Sequence, residues 1–240
     1  MAAVTALPAT LAAGAGPDRR KELLARWETL RARIAAVGRD PGAVSVIAVT
    51  KGFAAEVGQM AVACGLLDLG ENYGKELLAK AEAAEGWPIA PRWHFIGAVQ
   101  RNKVRALAPR VHLWQTVARA VEGEEIARWA PGARVLVQVD LVGRAGRNGC
   151  RPDEAGSVVA ALTGVGLEVR GLMTVGPEGP PESARPVFRR LAGMARDLGL
   201  PELSMGMTAD LEVAVEEGAT MIRVGEGLFG PRSVRPTLRQ

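Results

Sequence analysis

The sequence predicts an α/β protein, a single (β/α)8 barrel of the TIM type with an extra helix at its N-terminal side. Short apolar runs alternate with segments of helical spacing along most of the chain, which is typical of a parallel sheet flanked by helices. Eight such runs can be counted, the number of strands in this kind of barrel. The 240 residues also suit one domain of this class. A doubly wound open sheet is the alternative, because alternation alone does not reveal closure of the sheet.

The extra helix comes first in the chain. Within residues 18–37, apolar side chains recur at helical spacing between charged ones: Leu23, Leu24, Trp27, Leu30 and Ile34. Gly38 predicts the end of this helix, and Asp40-Pro41-Gly42 predicts a turn before the first strand.

Strands and helices then alternate. Strands are predicted at residues 44–49, 67–69, 92–95, 111–114, 134–139, 167–171, 202–204 and 220–224. Helices are predicted at residues 54–64, 74–84, 102–108, 117–129, 153–162, 182–198 and 209–217, and a short one after Gly227. The barrel domain is therefore expected to span residues 18–232. Residues 1–17 are rich in Ala, Gly and Pro and predict a disordered leader, whereas residues 233–240 predict a solvated tail.

Composition argues against several classes of function. The net charge of +4 comes from 30 basic and 26 acidic residues spread along the chain, so no nucleic-acid partner is expected. Neither a membrane span nor a signal peptide is expected, because the apolar runs are short and no basic segment precedes the apolar part of the leader. Cys64 and Cys150 fit a reducing cytoplasm. These cysteines and the two histidines lack the spacing of a metal site.

Unusual polar residues stand where the predicted strands end, which in a barrel is the rim that carries the chemistry. Lys51 follows the first strand, and it is one of only five lysines among the 30 basic residues. A lysine amine can lose its proton and attack an aldehyde, which an arginine cannot do. An ordinary surface lysine is the alternative interpretation.

Two further candidates follow the next two strands. Asn72, in Gly70-Glu71-Asn72-Tyr73, offers two donors and an acceptor to a ring substituent, or else caps the following helix. His94 lies between two aromatic residues near the end of the third strand. It is interpreted either as part of a pocket wall or as a hydrogen-bonded histidine of the core.

The other end of the chain supplies a candidate phosphate site. Ser204 ends the seventh strand and Gly225-Glu226-Gly227 follows the eighth, and barrels frequently bind phosphate at these two loops. Arg223 can donate a hydrogen bond to a pyridine nitrogen, which then stays unprotonated. A structural ion pair of Arg223 with Glu71 or Asp210 is the alternative.

Two other parts of the chain have simpler interpretations. Thr208 is expected to cap the next helix, a role that is compatible with a ligand nearby. The segment Gly143–Gly149 is expected to be a rim loop or lid, because it lacks the spacing of a phosphate-binding loop.

Several segments occur together in the order found in one known family. They are Ala48-Val49-Thr50-Lys51, Gly70-Glu71-Asn72-Tyr73, Trp93-His94-Phe95-Ile96-Gly97 with Gln100-Arg101-Asn102-Lys103, Arg170-Gly171-Leu172-Met173, Leu203-Ser204-Met205-Gly206-Met207-Thr208, and Arg223-Val224-Gly225 with Phe229-Gly230. Over about residues 20–232 the chain resembles the pyridoxal phosphate (PLP) homeostasis proteins. The barrel of that family is similar to the N-terminal domain of alanine racemase.

The resemblance implies a PLP-binding protein for intracellular PLP homeostasis, which buffers the cofactor and hands it to apoenzymes, with no catalytic residue. It implies that Lys51 holds PLP as an internal aldimine and that Arg223 faces the pyridine nitrogen. The other cofactor-binding residues it implies are Asn72 beside the ring, His94 and Met207 on the pocket wall, and Ser204, Gly225 and Glu226 at the phosphate.

Glu226 departs from the family, which often has a small or hydroxyl residue at this position, so we expect its side chain to point to solvent. Nothing in the sequence places Tyr73, the one tyrosine, opposite Lys51, and this disfavours a second acid/base. The alternatives are a PLP-dependent amino-acid racemase or lyase, and a barrel aldolase that uses Lys51 without PLP. A monomer is expected, because no long apolar seam is left unassigned.

Overall fold

The computed structural model of the protein describes residues 17–143, 146 and 148–231. The predicted leader is thus described only at Pro17, which already belongs to the first helix. The predicted tail, residues 233–240, and most of the leader lie outside the described residues, as do three positions of the Gly143–Gly149 segment.

A closed barrel of eight parallel strands forms the centre of the described chain. The strands are β1 (Ser45–Val49), β2 (Asp68–Glu71), β3 (Arg92–Phe95), β4 (Val111–Val117), β5 (Arg134–Gln138), β6 (Glu168–Met173), β7 (Glu202–Ser204) and β8 (Met221–Val224). Each strand pairs with the next, and β8 pairs with β1 so that Arg223 stands beside Ile47. The predicted (β/α)8 barrel is confirmed, and the open sheet is excluded.

Helices surround the strands and alternate with them. They are α1 (Pro17–Ala36), α2 (Ala55–Ala63), α3 (Gly74–Ala84), α4 (Arg101–Leu107), α5 (Ala120–Trp129), α6 (Ala155–Gly164), α7 (Arg185–Asp197), α8 (Leu211–Glu216) and α9 (Glu226–Phe229). Short 3-10 turns at Pro41–Ala43, Pro152–Glu154 and Pro181–Ala184 precede β1, α6 and α7. In the described part of the chain, no helix combines the length and the apolar character needed to cross a bilayer.

Several predicted boundaries differ from the structure by one to three residues, and the end of the fourth strand is the clearest case. The fourth strand does not end at Trp114 but continues to Val117, which pairs with Val137 of β5. The next helix therefore begins at Ala120 and not at residue 117. The reason is the buried carboxylate of Glu122, which accepts hydrogen bonds from the backbone N–H groups of Ala118 (2.8 Å) and Arg119 (3.2 Å) and so fixes the start of α5.

The extra helix α1 packs beside α8 and α9. Arg33 of α1 makes a bidentate ion pair with Glu212 of α8, at 2.5 and 2.7 Å. The same guanidinium donates to the backbone oxygen of Thr208 at 2.9 Å. The extra helix therefore holds the segment that follows β7, at the rim where strand ends are expected to carry the chemistry.

The barrel interior has its own small apolar layer, separated by the sheet from the main core that lies under the helices. It is built from Ile47, Leu113, Leu136, Met173 and Met221. Met173 faces a cavity at the carboxyl ends of the strands, whereas Leu113 and Met221 face one at the amino ends. The barrel is thus a filled core with two separate mouths, and not a pore.

Candidate functional site

A cavity of about 430 Å³ opens at the carboxyl ends of the strands. Its lining comes from the ends of β1, β2, β3, β6, β7 and β8. The lining residues are Val49, Lys51, Asn72, Ile96, Met173, Val175, Met207, Thr208, Ala209, Arg223, Gly225 and Glu226. Six of the eight site residues predicted from the sequence line this one cavity, and Ser204 and His94 do not.

Hydrogen bonds to the residues on both sides of Lys51 hold the turn that carries it. Before it, the Thr50 hydroxyl donates to Glu71 at 2.6 Å, and the Lys80 ammonium donates to the Thr50 carbonyl at 2.7 Å. After it, the Gly52 N–H donates to the Glu76 carboxylate at 2.7 Å. The half-buried Lys51 therefore projects from a fixed loop at the end of β1.

The buried ion pair of Lys80 and Glu71, called the clamp below, lies beneath the turn that carries Lys51. The Lys80 ammonium lies 2.5 Å from a carboxylate oxygen of Glu71 and 3.4 Å from Glu76, and the side chains of Lys80 and Glu71 are 6% and 0% exposed. Burial raises the pKa of the Glu71 carboxyl, and the charge of Lys80 only partly opposes that shift. Sequence reasoning missed Lys80, although helical spacing puts it on the buried face of α3 with Leu77, Ala81 and Ala84.

Asn72 contributes an unsatisfied acceptor to the cavity region. Its side-chain oxygen is buried and has no hydrogen-bond partner among the described residues. Gly97 packs directly against its backbone, since a Cβ at Gly97 would lie only 1.8 Å from the Asn72 carbonyl oxygen. Because buried polar atoms normally find partners, this oxygen indicates a ligand that can donate a hydrogen bond.

Arg223 is a buried cation at the end of β8. Its guanidinium donates to the Ser204 hydroxyl at 2.7 Å and to the Thr174 carbonyl at 2.8 Å. Burial lowers the pKa of Arg223 to about 10, and the nearby charge of Asp210 opposes this shift, so the group remains a cation at neutral pH. Glu71 is not its partner, because Glu71 pairs with Lys80.

Thr208, rather than Ser204, brings a hydroxyl group to the cavity wall. Gly227 makes room for it, since a Cβ there would lie 2.8 Å from Cγ2 and 3.0 Å from Oγ1 of Thr208. The sequence contained a usable signal, because Thr208 lies in the loop beyond β7 whereas Ser204 lies within the strand. Glu226 lines the same region and is exposed, as expected.

The expectations for Ser204 and His94 are corrected. The fully buried Ser204 hydroxyl donates to Gln115 at 2.7 Å and accepts from Arg223. The His94 ring contacts Gln115 and Asp68, each at 2.9 Å, and borders the cavity of about 270 Å³ at the amino ends of the strands. Both side chains therefore lie below the site, inside the barrel.

The chain matches the family described as "Alanine racemase, N-terminal domain" over residues 21–233. A pyridoxal phosphate homeostasis protein of Pseudomonas aeruginosa is 38% identical over 212 residues, which cover 85% of this chain and 91% of that protein. The protein of the same name from Deinococcus radiodurans is 40% identical over 207 residues, which cover 83% and 95%. The chain belongs to the family of pyridoxal phosphate homeostasis proteins.

Solved structures agree with this assignment. The structure of PipY from Synechococcus elongatus with PLP bound has a TM-score of 0.77 and 30% identity, and the match covers 87% of this chain and 100% of PipY. Alanine racemase from Corynebacterium glutamicum has a TM-score of 0.67 but only 19% identity, over 88% of this chain and 62% of the racemase. That second similarity establishes only a shared barrel fold.

Lys80→Met tests the buried clamp. Without its cation, Glu71 is left buried and unpaired, and the free energy of unfolding should fall by about 3–5 kcal/mol. Because the pKa of Glu71 is raised, the folded protein retains a proton that the unfolded chain releases when the pH lies between the unfolded and folded pKa values of this carboxyl. Stability therefore falls as pH rises through that interval. Lys80→Met should extend this interval upward. Urea unfolding at about pH 5 and about pH 8 should therefore show a larger loss at the higher pH.

Two further variants serve as controls for this measurement. Adding Glu71→Gln to Lys80→Met should restore part of the stability, because the unpaired charge is removed. Lys75→Met, at an exposed position of the same helix, should change stability by about 0.5 kcal/mol or less. A pH-independent loss for Lys80→Met no larger than that of Lys75→Met would contradict the clamp.

Proposed function

We propose that this chain binds PLP covalently through Lys51, in the cavity at the carboxyl ends of the strands, and acts as a cytoplasmic buffer or carrier of the cofactor. One observation carries the proposal. A single cavity brings together the strand-end amine of Lys51, the guanidinium of Arg223, and the Thr208 and Gly225–Glu226 segments at the loops after β7 and β8. PipY, a relative of the same fold, is known with PLP bound.

The residues present fit the three functional parts of PLP. Lys51 offers an amine to the aldehyde, with loss of water. The Thr208 hydroxyl and the backbone of Gly225 and Glu226 suit the phosphate, because barrels frequently bind phosphate at these loops. Arg223 offers a donor to the ring nitrogen. The orphan oxygen of Asn72 can accept a hydrogen bond from the ring hydroxyl.

Apolar side chains form much of the remaining wall. Ile96, Met173 and Val175 line the cavity beside Lys51, and they limit the access of water to the amine. PLP supplies an electron-accepting ring, and that ring is a weaker electron sink when its nitrogen faces a cation rather than a carboxylate. Arg223 only donates hydrogen bonds, so it does not favour protonation of the nitrogen. This supports storage of the cofactor over carbanion chemistry.

Racemisation is disfavoured by the position of the one tyrosine. A two-base mechanism needs an acid/base on the ligand face opposite the lysine. Tyr73 is 61% exposed and lines a neighbouring cavity, not the one that contains Lys51. We therefore include in the proposal the absence of efficient turnover.

The remaining parts of the proposal concern partners and location. PLP-dependent apoenzymes are the proposed recipients of the cofactor, and neither nucleic acid nor a membrane is a proposed partner. The large exposed apolar side chains of the described surface come from several different elements, which supports a monomer. The free thiols of Cys64 and Cys150 support a reducing compartment.

Absorbance and hydride trapping test covalent binding. Protein loaded with PLP should be yellow, with a band in the near-visible, and Lys51→Ala should lose most of that band. Lys75→Ala, at an exposed position of α3, should keep it. Borohydride reduction followed by peptide mass mapping should place the added mass on Lys51. A colourless wild-type protein, or a label at another lysine, would overturn the proposal and would favour an aldolase in the first case.

Isotope exchange separates storage from turnover. The PLP-loaded protein is incubated with L-alanine or D-alanine in deuterated water, with free PLP at the same concentration as the control. We expect exchange of the α-hydrogen near the rate of the control, without inversion, because no second acid/base faces Lys51. Rapid exchange with inversion would identify a racemase while leaving the PLP site intact.

A further inference from the structure

We propose that Gln115 and His94 are positioning residues for Arg223, acting through a chain of hydrogen bonds that crosses the barrel interior. The inference rests on the proposed function, in which Arg223 faces the ring nitrogen of PLP. Gln115 and His94 do not line the cavity, but they determine which N–H groups of Arg223 point into it.

The chain runs from one mouth of the barrel to the other. Arg223 of β8 contacts Ser204 of β7 at 2.7 Å, and Ser204 contacts Gln115 of β4 at 2.7 Å. Gln115 contacts His94 of β3 at 2.9 Å, and His94 contacts Asp68 of β2 at 2.9 Å. Because β4 and β7 are not neighbouring strands, the Ser204–Gln115 contact must cross the barrel interior.

The two ends of the chain determine its direction. A guanidinium only donates hydrogen bonds, so the Ser204 oxygen accepts from Arg223, and the single Ser204 proton goes to the Gln115 oxygen. The Gln115 nitrogen must then donate to Nδ1 of His94. His94 consequently carries its proton on Nε2 and donates it to the carboxylate of Asp68, which only accepts. Every proton therefore points from the cavity towards Asp68.

The opposite orientation of the amide leaves groups unsatisfied. Ser204 would then face two donors, from Arg223 and Gln115, and its own proton would lose the Gln115 oxygen as acceptor. A neutral His94 protonated on Nδ1 would turn the lone pair of Nε2 towards the Asp68 carboxylate. Only the first orientation satisfies every contact with a neutral imidazole.

Burial makes the chain sensitive to a single break. Gln115 and Ser204 are 0% exposed, His94 is 4% and Arg223 is 5%, so solvent has little access to replace a lost partner. The far end is fixed, because the Asp68 carboxylate accepts a bidentate pair of hydrogen bonds from Arg92, both at 2.6 Å. Truncating Gln115 should therefore release Ser204, and with it the orientation of Arg223.

A fixed Arg223 should make the protein prefer a ligand whose ring has a hydrogen-bond acceptor where PLP has its ring nitrogen. The test compares PLP with its 1-deaza analogue, in which a C–H group replaces that nitrogen. Wild-type protein should bind PLP roughly tenfold to a hundredfold more tightly than the analogue, the range for a hydrogen bond to a charged group. The ratio of the two dissociation constants reports the Arg223 contact separately from general damage to the site.

Gln115→Leu should bring this ratio below about threefold, because Arg223 loses its fixed orientation. Glu122→Gln is the matched control, since Glu122 is also 0% exposed but caps α5 away from the chain. The control should keep the wild-type ratio even if it lowers stability. A wild-type ratio in folded Gln115→Leu would overturn the inference.

Nitrogen NMR of the PLP-free protein gives a second, independent measurement. In wild-type protein the proton of the neutral His94 imidazole should lie on Nε2, and His112→Asn assigns its signals. A proton on Nδ1 of the neutral ring would contradict the proposed direction of the hydrogen bonds even if Gln115→Leu does not fold. If PLP fails to label Lys51 while His94 has the expected tautomer, the proposed function fails and the chain of hydrogen bonds stands.

Discussion

The buried ion pair between Lys80 and Glu71 is the interaction on which the geometry of the candidate site depends. It lies directly under the end of β1, and it holds Thr50 through both its backbone carbonyl and its side-chain hydroxyl. Burying two charges costs free energy, and this pair recovers part of that cost through the extra hydrogen bonds. The result is a rigid turn, from which Lys51 reaches the cavity.

The interior of the barrel shows a second use of buried polarity. An apolar layer of five side chains fills the middle of the barrel, while the polar chain from Asp68 to Arg223 passes beside it. The amide of Gln115 also lies 3.9 Å from the sulfur of Met221, a member of that layer. Apolar packing therefore limits the access of water to the buried middle of this chain of hydrogen bonds, which makes those hydrogen bonds more consequential.

Most of the fold, and six of the eight candidate residues that were expected at the site, could be predicted from the sequence. The eight strands were recognisable because each is a short apolar run next to a helical segment. Lys51, Asn72 and Arg223 were recognisable because they are polar residues at strand ends, where a barrel places its chemistry. Ser204 was assigned to the phosphate because the strand boundary could not show that its hydroxyl faces the interior, four residues before Thr208.

The site residues that the sequence did not reveal depend on contacts between segments that are distant in the chain. Lys80 looks like an ordinary helical lysine until β1 and β2 bring Thr50 and Glu71 to it. Gln115 was hidden because the predicted fourth strand stopped at Trp114, one residue short of it. Its role depends on Ser204, which is 89 residues away in the chain, and no local pattern encodes such a pairing.

A crystal structure of the protein grown with PLP tests the central claim most directly. The account predicts continuous density between the Lys51 amine and the cofactor, the phosphate against Thr208 and the Gly225–Glu226 backbone, and the ring nitrogen facing Arg223. An empty cavity at saturating PLP, or cofactor bound away from Lys51, would contradict it.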